Sequence, residues 1–186
     1  MSDADLVLRI RGLGDALKRA ARWQGSPIAV DGAKDDFVYE LLCYFTVAVA
    51  SANHFKVALT LRKHPTTGKL APLFPKKPGR RKNFSFLALT EASGQPGFEL
   101  CPGIFITDRH GKRRAPDINL LCAAAAIDPA HTDLCAIWDA KYVYDETKRL
   151  ADTAVSDFVY TFEELGYPAF RGKFRETQTH ARANLV

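Results

Sequence analysis

The stretch Leu134-Cys135-Ala136-Ile137-Trp138-Asp139-Ala140-Lys141-Tyr142-Val143 sets an acid and a base two residues apart inside an otherwise apolar run. It holds no Gly or Pro and reads as a strand apolar on both faces, which predicts a central place in a sheet. Side chains alternate along a strand, so Asp139 and Lys141 project from the same face. Charged groups are rarely buried in such surroundings unless they are paired or bound to a metal. Asp117 has the same setting upstream, in Ala115-Pro116-Asp117-Ile118-Asn119-Leu120-Leu121. These three are read as the charged residues set within apolar strands, and pairing of the two strands would let Asp117 meet the other two.

Outward from this pair, Phe98–Thr107 and Arg114–Ala123 read as a hairpin closed by Asp108-Arg109-His110-Gly111, a turn signal ending in glycine. Phe55–Leu61 and Phe84–Thr90 read as two further strands. Helical spacing marks three segments. Residues 3–22 carry Leu6, Ile10, Leu13, Leu17 and Ala20, and Gly25-Ser26-Pro27 ends that helix. A second helix is expected from near Asp31–Asp35, with acids suited to a helix N-terminus, to about Ala52; Phe37, Leu41, Tyr44, Phe45 and Ala48 form its stripe. Residues 146–165 place Leu150, Ala154, Phe158, Phe162 and Leu165 on one face of a last helix, against which Tyr142 and Tyr144 are expected to pack. The 21 residues after Leu165 show no clear pattern.

This order predicts one α/β or α+β domain over residues 1–186: an N-terminal helix in 1–25, a core in 31–165 and an irregular segment in 166–186. Its mixed β-sheet is flanked by helices, with extra strands and a basic loop before the core hairpin. The length of 186 residues suffices to bury a core, and 47% hydrophobic and 25% charged residues are proportions of a globular chain. No apolar run approaches the roughly 20 residues a membrane helix needs, and the first residues lack a signal-peptide core. A cytoplasmic protein is expected. Cys43, Cys101, Cys122 and Cys135 each sit singly in apolar segments without metal-knuckle spacing, and read as reduced core residues.

The net charge of +5 matters less than its distribution. No acid occurs between Glu40 and Glu91, while Lys56, Arg62, Lys63, Lys69, Lys76, Lys77, Arg80, Arg81 and Lys82 supply nine cations. The densest part, Lys76 to Lys82, contains Pro78-Gly79 and is expected to be a loop. Segregation this one-sided favours a polyanion. Arg109, Lys112 and Arg113 crowd the hairpin turn and are read, with Lys76, Lys77, Arg80, Arg81 and Lys82, as phosphate contacts. Lys69 follows Thr-Gly without the upstream glycine of a phosphate-binding loop, so nucleotide binding gains no support. The five histidines lack metal-ligand spacing, which leaves His54 and His110 as auxiliary bases at most.

Two carboxylates and an ammonium on one sheet face suit phosphodiester hydrolysis. The acids can hold a hard cation such as Mg²⁺ (or Mn²⁺), with the Ala140 carbonyl as a further ligand. The cation would polarise the phosphate and acidify water, and Lys141 would position that water and counter the phosphate charge. At Pro116-Asp117, followed after 21 residues by Asp139-Ala140-Lys141, the sequence resembles the PD-(D/E)xK nuclease superfamily. The resemblance implies a restriction-endonuclease-like mixed four-stranded sheet flanked by helices, with the second acid and the lysine on one strand. Many members add a glutamate from the helix before the hairpin, and Glu40, beside the apolar stripe, fits that place as catalytic and metal-binding residue, with Asp35 or Asp36 one turn earlier as the alternative. A strand expected after the last helix is not evident in 166–186, and the strands around the basic loop are additional.

The implied activity is a Mg²⁺-dependent DNA endonuclease serving restriction, defence or mobile-element processing, either as a homodimer or within a larger defence complex. The alternatives are a non-catalytic nucleic-acid-binding module with a nuclease-like fold, and an RNA-cleaving enzyme.

Overall fold

The structure, a computed structural model, describes residues 8, 12, 35–62, 74–94, 96–141 and 152–166. The expected helix over 3–22 lies outside these except at Leu8 and Gly12, both helical. Residues 63–73, 142–151 and 167–186 are also outside, and with them Lys63, Lys69, Tyr142, Tyr144 and the strand expected after the last helix.

Helix α1, Asp35–Phe55, forms where the apolar stripe predicts it but runs past Ala52. It stops where Lys56 takes φ 52 and the Val57 N–H donates to the Ala52 carbonyl at 3.2 Å, a left-handed helix stop. The stripe buries Leu41, Tyr44, Phe45 and Ala48 almost completely. Each large side chain so buried contributes about 1.5–3 kcal/mol. Tyr44 also donates from its hydroxyl to the Leu100 carbonyl at 2.8 Å, which satisfies the buried phenol and pins the helix to the sheet.

The strands are β1 Ala58–Arg62, β2 Phe86–Thr90, β3 Pro96–Pro102, β4 Ile106–Thr107, β5 Arg113–Arg114, β6 Ile118–Cys122 and β7 Leu134–Trp138. Five of them form one sheet in the order β1-β2-β3-β6-β7, with every pairing antiparallel. The fold is therefore α+β. Among the described residues the sheet has five strands, all antiparallel, where the family resemblance implies four in a mixed pattern.

The expectation of a central β7 is also corrected: among the described residues it is an edge strand. Its two apolar faces report two covering layers, not two neighbouring strands. On one face, Cys135 and Ala136 join Leu120, Ile118, Leu100, Leu87 and Leu59 under helix α1. On the other, Leu134 and Ile137 join Leu121, Cys101, Ile104 and Ile106. Helix α2, Asp152–Glu164, covers this second face with Phe158 and Phe162.

The predicted hairpin forms, but each arm divides. Between β3 and β4 the chain breaks at Gly103, whose φ of +43 suits glycine. Between β5 and β6 it breaks at Pro116, which has no N–H for a ladder. The tips pair as a small separate ribbon, Ile106 with Arg114 and Thr107 with Arg113. The Asp108 side chain holds the turn: its Oδ1 accepts the N–H groups of His110 (2.9 Å) and Lys112 (2.8 Å), and its Oδ2 accepts Arg114 Nε (2.9 Å).

Candidate active site

Asp117 sits at the mouth of the sheet, one residue before β6, and its backbone is fixed from two sides. Its carbonyl accepts the Gly103 N–H at 2.7 Å, while the preceding carbonyl, of Pro116, accepts the Asn119 side-chain amide at 3.0 Å. The register Ile118–Trp138 puts the end of β7 beside it. The strand expected over Leu134–Val143 ends at Trp138 among the described residues, so Asp139-Ala140-Lys141 follows β7 instead of continuing it. Asp117 Oδ2 accepts the Ala140 N–H at 2.7 Å, which bonds the residue just before β6 to the middle of that segment. Lys141 Nζ lies 2.6 Å from Asp139 Oδ2, and both side chains are partly exposed. The three residues predicted to converge do so.

The electrostatics bring Glu40 into the same group. Burial is the first cause that pushes the Asp117 carboxyl up, to about 8; a hydrogen bond with Asp139 and the charges of Asp139 and Glu40 push the same way, against the Ala140 N–H. Burial works against the Lys141 charge, but the bond and charge of Asp139, then Asp117 and Glu40, outweigh it and raise its pKa. Glu40 thus adds its charge to the surroundings of Asp117 and Lys141 from helix α1. One turn on, Cys43 also faces this group. Burial pushes its thiol up to about 11; Asp117 and Glu40 add to that, while a hydrogen bond with Tyr39 opposes it. Neither Cys43 nor Tyr39 stands out in the sequence, because both lie in the helix's apolar run.

Two carboxylates in contact, with a third in electrostatic range and one neighbouring ammonium, form a site where a divalent cation would relieve like-charge repulsion. Asp117, Asp139, the Ala140 carbonyl and Glu40 are the residues that would hold it. Among the described residues no group of three or more His, Cys, Asp or Glu is close enough together to hold a metal ion. Glu40 acts on the pair by charge and would have to approach it to complete a ligand set.

The basic segment docks beside the acids. The Gly79 N–H donates to the Gly103 carbonyl at 3.2 Å, and the Phe105 N–H donates to the Gly79 carbonyl at 2.8 Å. Gly103 in turn holds Asp117, so two backbone hydrogen bonds join the Lys76–Lys82 segment to the acid. Lys76, Lys77, Arg80 and Lys82 are exposed there, and Arg109, Lys112 and Arg113 are exposed on the turn that leaves the same end of the sheet.

Arg81 departs from its expected role. It begins a short 3₁₀ turn, Arg81–Asn83, and points inward. Its guanidinium is ion-paired with Glu99, donates to the carbonyls of Ala125 (3.2 Å) and Ala126 (3.1 Å), and lies over the Phe86 ring at 4.7 Å. None of that faces a phosphate. Glu99 is a buried acid inside strand β3 that is not among the three charged residues read from the sequence, and its Phe98-Glu99-Leu100 setting is the signal that marks it. His54 and His110 are exposed, the first against Phe55 and the second 3.6 Å from Glu164, with neither beside the acids.

No family model, curated protein or solved structure matches this chain. Among the described residues no helix is long and apolar enough to cross a membrane.

Proposed function

We propose that this protein is a divalent-metal-dependent nuclease of the restriction-endonuclease-like type that hydrolyses DNA phosphodiester bonds. The observation that carries the reading is the convergence of Asp117, Asp139 and Lys141 at one end of the sheet, with Glu40 in electrostatic range. The basic segment hydrogen-bonded to the same end supplies a second support, since a phosphate backbone needs cations close to the reacting acids.

In this reading the acids bind Mg²⁺ or Mn²⁺, which supplies Lewis acidity at the scissile phosphate. Lys141 orients the attacking water and offsets the charge that builds on the phosphoryl oxygens, acting where a preorganised cation lowers the barrier most. Asp117, held by the Ala140 and Gly103 N–H groups, needs little reorganisation to act as a ligand. Lys76, Lys77, Arg80, Lys82, Arg109, Lys112 and Arg113 bind the flanking phosphates. Arg81 is left out of this set.

Plasmid, linear duplex and single-stranded DNA, together with an RNA of matched length, incubated with Mg²⁺, Mn²⁺, Ca²⁺ or chelator, test the proposal. Cleavage of DNA with Mg²⁺ or Mn²⁺ and its loss in chelator are expected. Binding without cleavage under every metal would assign the chain to the non-catalytic nucleic-acid-binding class instead.

A further inference from the structure

Cys122 and Cys135 lie on neighbouring antiparallel strands, and their Sγ atoms are 3.1 Å apart. Strict alternation along β7 would turn Cys135 and Ala136 to opposite faces. A register shift opposite Leu120/Leu121 breaks that alternation: Leu120 pairs with Ala136 and Leu121 with Leu134, which leaves Cys135 as the extra residue of a β-bulge. Cys135 therefore shares the α1-covered face with Ala136, and Cys122 packs on that same face. The bulge is what brings the two sulfurs together.

We propose that Cys122 and Cys135 form an oxidisable dithiol, a modification site that closes to an intrachain disulfide when the protein meets a peroxide. All four cysteines are thiols in this structure. The two Sγ atoms are 3.1 Å apart, so reaching the roughly 2.05 Å of a disulfide needs a sulfur movement of about 1 Å. Cys122 is half-buried whereas Cys135 is 1% exposed, so peroxide reaches Cys122 first. The Cys122 sulfur attacks one peroxide oxygen, the O–O bond breaks, and a sulfenic acid and one water form. The Cys135 sulfur then attacks the Cys122 sulfur and expels a second water. Two thiols and one peroxide give one disulfide and two waters; sulfur loses two electrons and the peroxide oxygens gain them. Cys43 and Cys101 serve as internal controls: both are buried, their thiols are pushed up to about 11 and about 12, and no sulfur partner adjoins them among the described residues.

The pair sits at the end of β6 remote from Asp117, so the link does not touch the candidate acids. It closes the loop from 123 to 134 instead. That loop carries the Ala125 and Ala126 carbonyls that receive Arg81, and the Pro129 carbonyl that receives the Thr107 N–H at 2.9 Å. Oxidation would therefore stiffen the anchorage of the basic segment and the β4–β5 ribbon. Closing a loop of about 14 residues should raise the melting temperature by about 5–10 °C.

The full chain is treated with hydrogen peroxide or left reduced, then denatured, alkylated and mapped as non-reduced peptides, with melts run in parallel. The expected result is a Cys122–Cys135 cross-linked peptide, lighter by two hydrogen atoms and reversed by dithiothreitol, with Cys43 and Cys101 alkylated. The melting temperature should rise in the wild type and stay unchanged by peroxide in Cys122→Ser and in Cys122→Ala. Recovery of Cys122 and Cys135 as thiols, or as separate sulfinic acids, would overturn the proposal. So would a disulfide that joins either one to Cys43 or Cys101, or an unaltered thermal shift in both variants. None of these readouts depends on nuclease activity.

Discussion

The N–H of Gly103 donates to the carbonyl of Asp117 at 2.7 Å, and the Gly103 carbonyl receives the N–H of Gly79. One residue thus ties the backbone of the candidate catalytic acid to the most basic segment of the chain. Gly103 can do this because it holds φ at +43. A Cβ there would also lie 3.2 Å from Pro75 Cγ. Gly103→Ala should cost about 1–3 kcal/mol through backbone strain, with the Pro75 contact adding to it. Gly111→Ala shares the positive φ, at 78, but its Cβ would meet nothing within 4 Å. Urea melts should rank Gly103→Ala below Gly111→Ala. Equal destabilisation would mean that the Pro75 contact contributes nothing.

The cations of the basic segment divide into two kinds, and mutation should separate them. Arg81→Ala removes the partner of Glu99, a buried acid whose pKa burial already raises against the pull of Arg81 and Arg62. Breaking such a pair leaves an uncompensated charge and should cost about 3–5 kcal/mol in urea melts. Lys76, Lys77, Arg80 and Lys82 are exposed, so replacing all four with serine should leave stability within about 1 kcal/mol. DNA binding should respond in the opposite way. Every phosphate that one of these cations neutralises adds about 0.9 to the slope of log K against log salt for duplex DNA, so the quadruple variant should show a flatter plot. A salt slope identical to wild type would show that these four side chains are only solvated.

The candidate acids are legible in the sequence because a charge within an apolar segment has few stable explanations, but the alternation read for Asp139 and Lys141 does not hold: β7 ends at Trp138, and the two meet as an ion pair beyond it. Their partner Asp117 is legible for the same reason. Glu99 satisfies the same rule yet serves a structural ion pair, so the rule finds buried charge without telling a reactive group from an anchoring one. The edge position of β7 is not legible. Two apolar faces record what covers a strand above and below, and a sheet edge is defined in the plane between them. Arg81 is hidden by its neighbours: in a run of seven residues with five cations, nothing local distinguishes the one whose guanidinium turns inward to an acid 18 residues ahead. The bulge at Cys135 is equally hidden, because one unpaired residue in β7 leaves no mark on its composition.

Removing one acid or the base should give opposite effects on the metal-free protein. Asp139→Asn relieves the repulsion on Asp117 and should melt higher than wild type in chelator, while cleavage falls by at least about a hundredfold, or about 3 kcal/mol of barrier. Lys141→Ala removes the cation 2.6 Å from Asp139 and should melt lower in chelator, with a similar fall in cleavage. Wild type and Lys141→Ala should gain melting temperature with Mn²⁺, because a ligand that binds the native state alone stabilises it. Asp139→Asn should lose most of that gain. Small destabilisation by both substitutions and no response to Mn²⁺ in any of the three proteins would reduce Asp139 and Lys141 to a surface ion pair.

The pH dependence of stability tests the same site without substrate. An unfolded aspartate titrates near about 3.9, whereas burial and the neighbouring acids hold Asp117 in the fold at about 8. Between those values the native state keeps a proton that the unfolded chain releases. The stabilising contribution of protonated Asp117 is complete below about pH 4, falls as pH rises, and is gone above the folded value of about 8. Metal-free protein should therefore lose melting temperature steadily from about pH 5 to about pH 8. Burial raises the Glu99 carboxyl too, against the pull of Arg81, and contributes with the same sign. Asp139→Asn distinguishes the two: it leaves Glu99 untouched but lowers Asp117 towards its ordinary value, so the slope should flatten. Mn²⁺ needs ionised ligands, so its stabilising effect should grow over this window as protons leave. Melts of wild type and Asp139→Asn across that window, in chelator and in Mn²⁺, read both effects. A flat wild-type profile in chelator, with a metal response independent of pH, would mean that Asp117 is ionised throughout and shares no proton with Asp139.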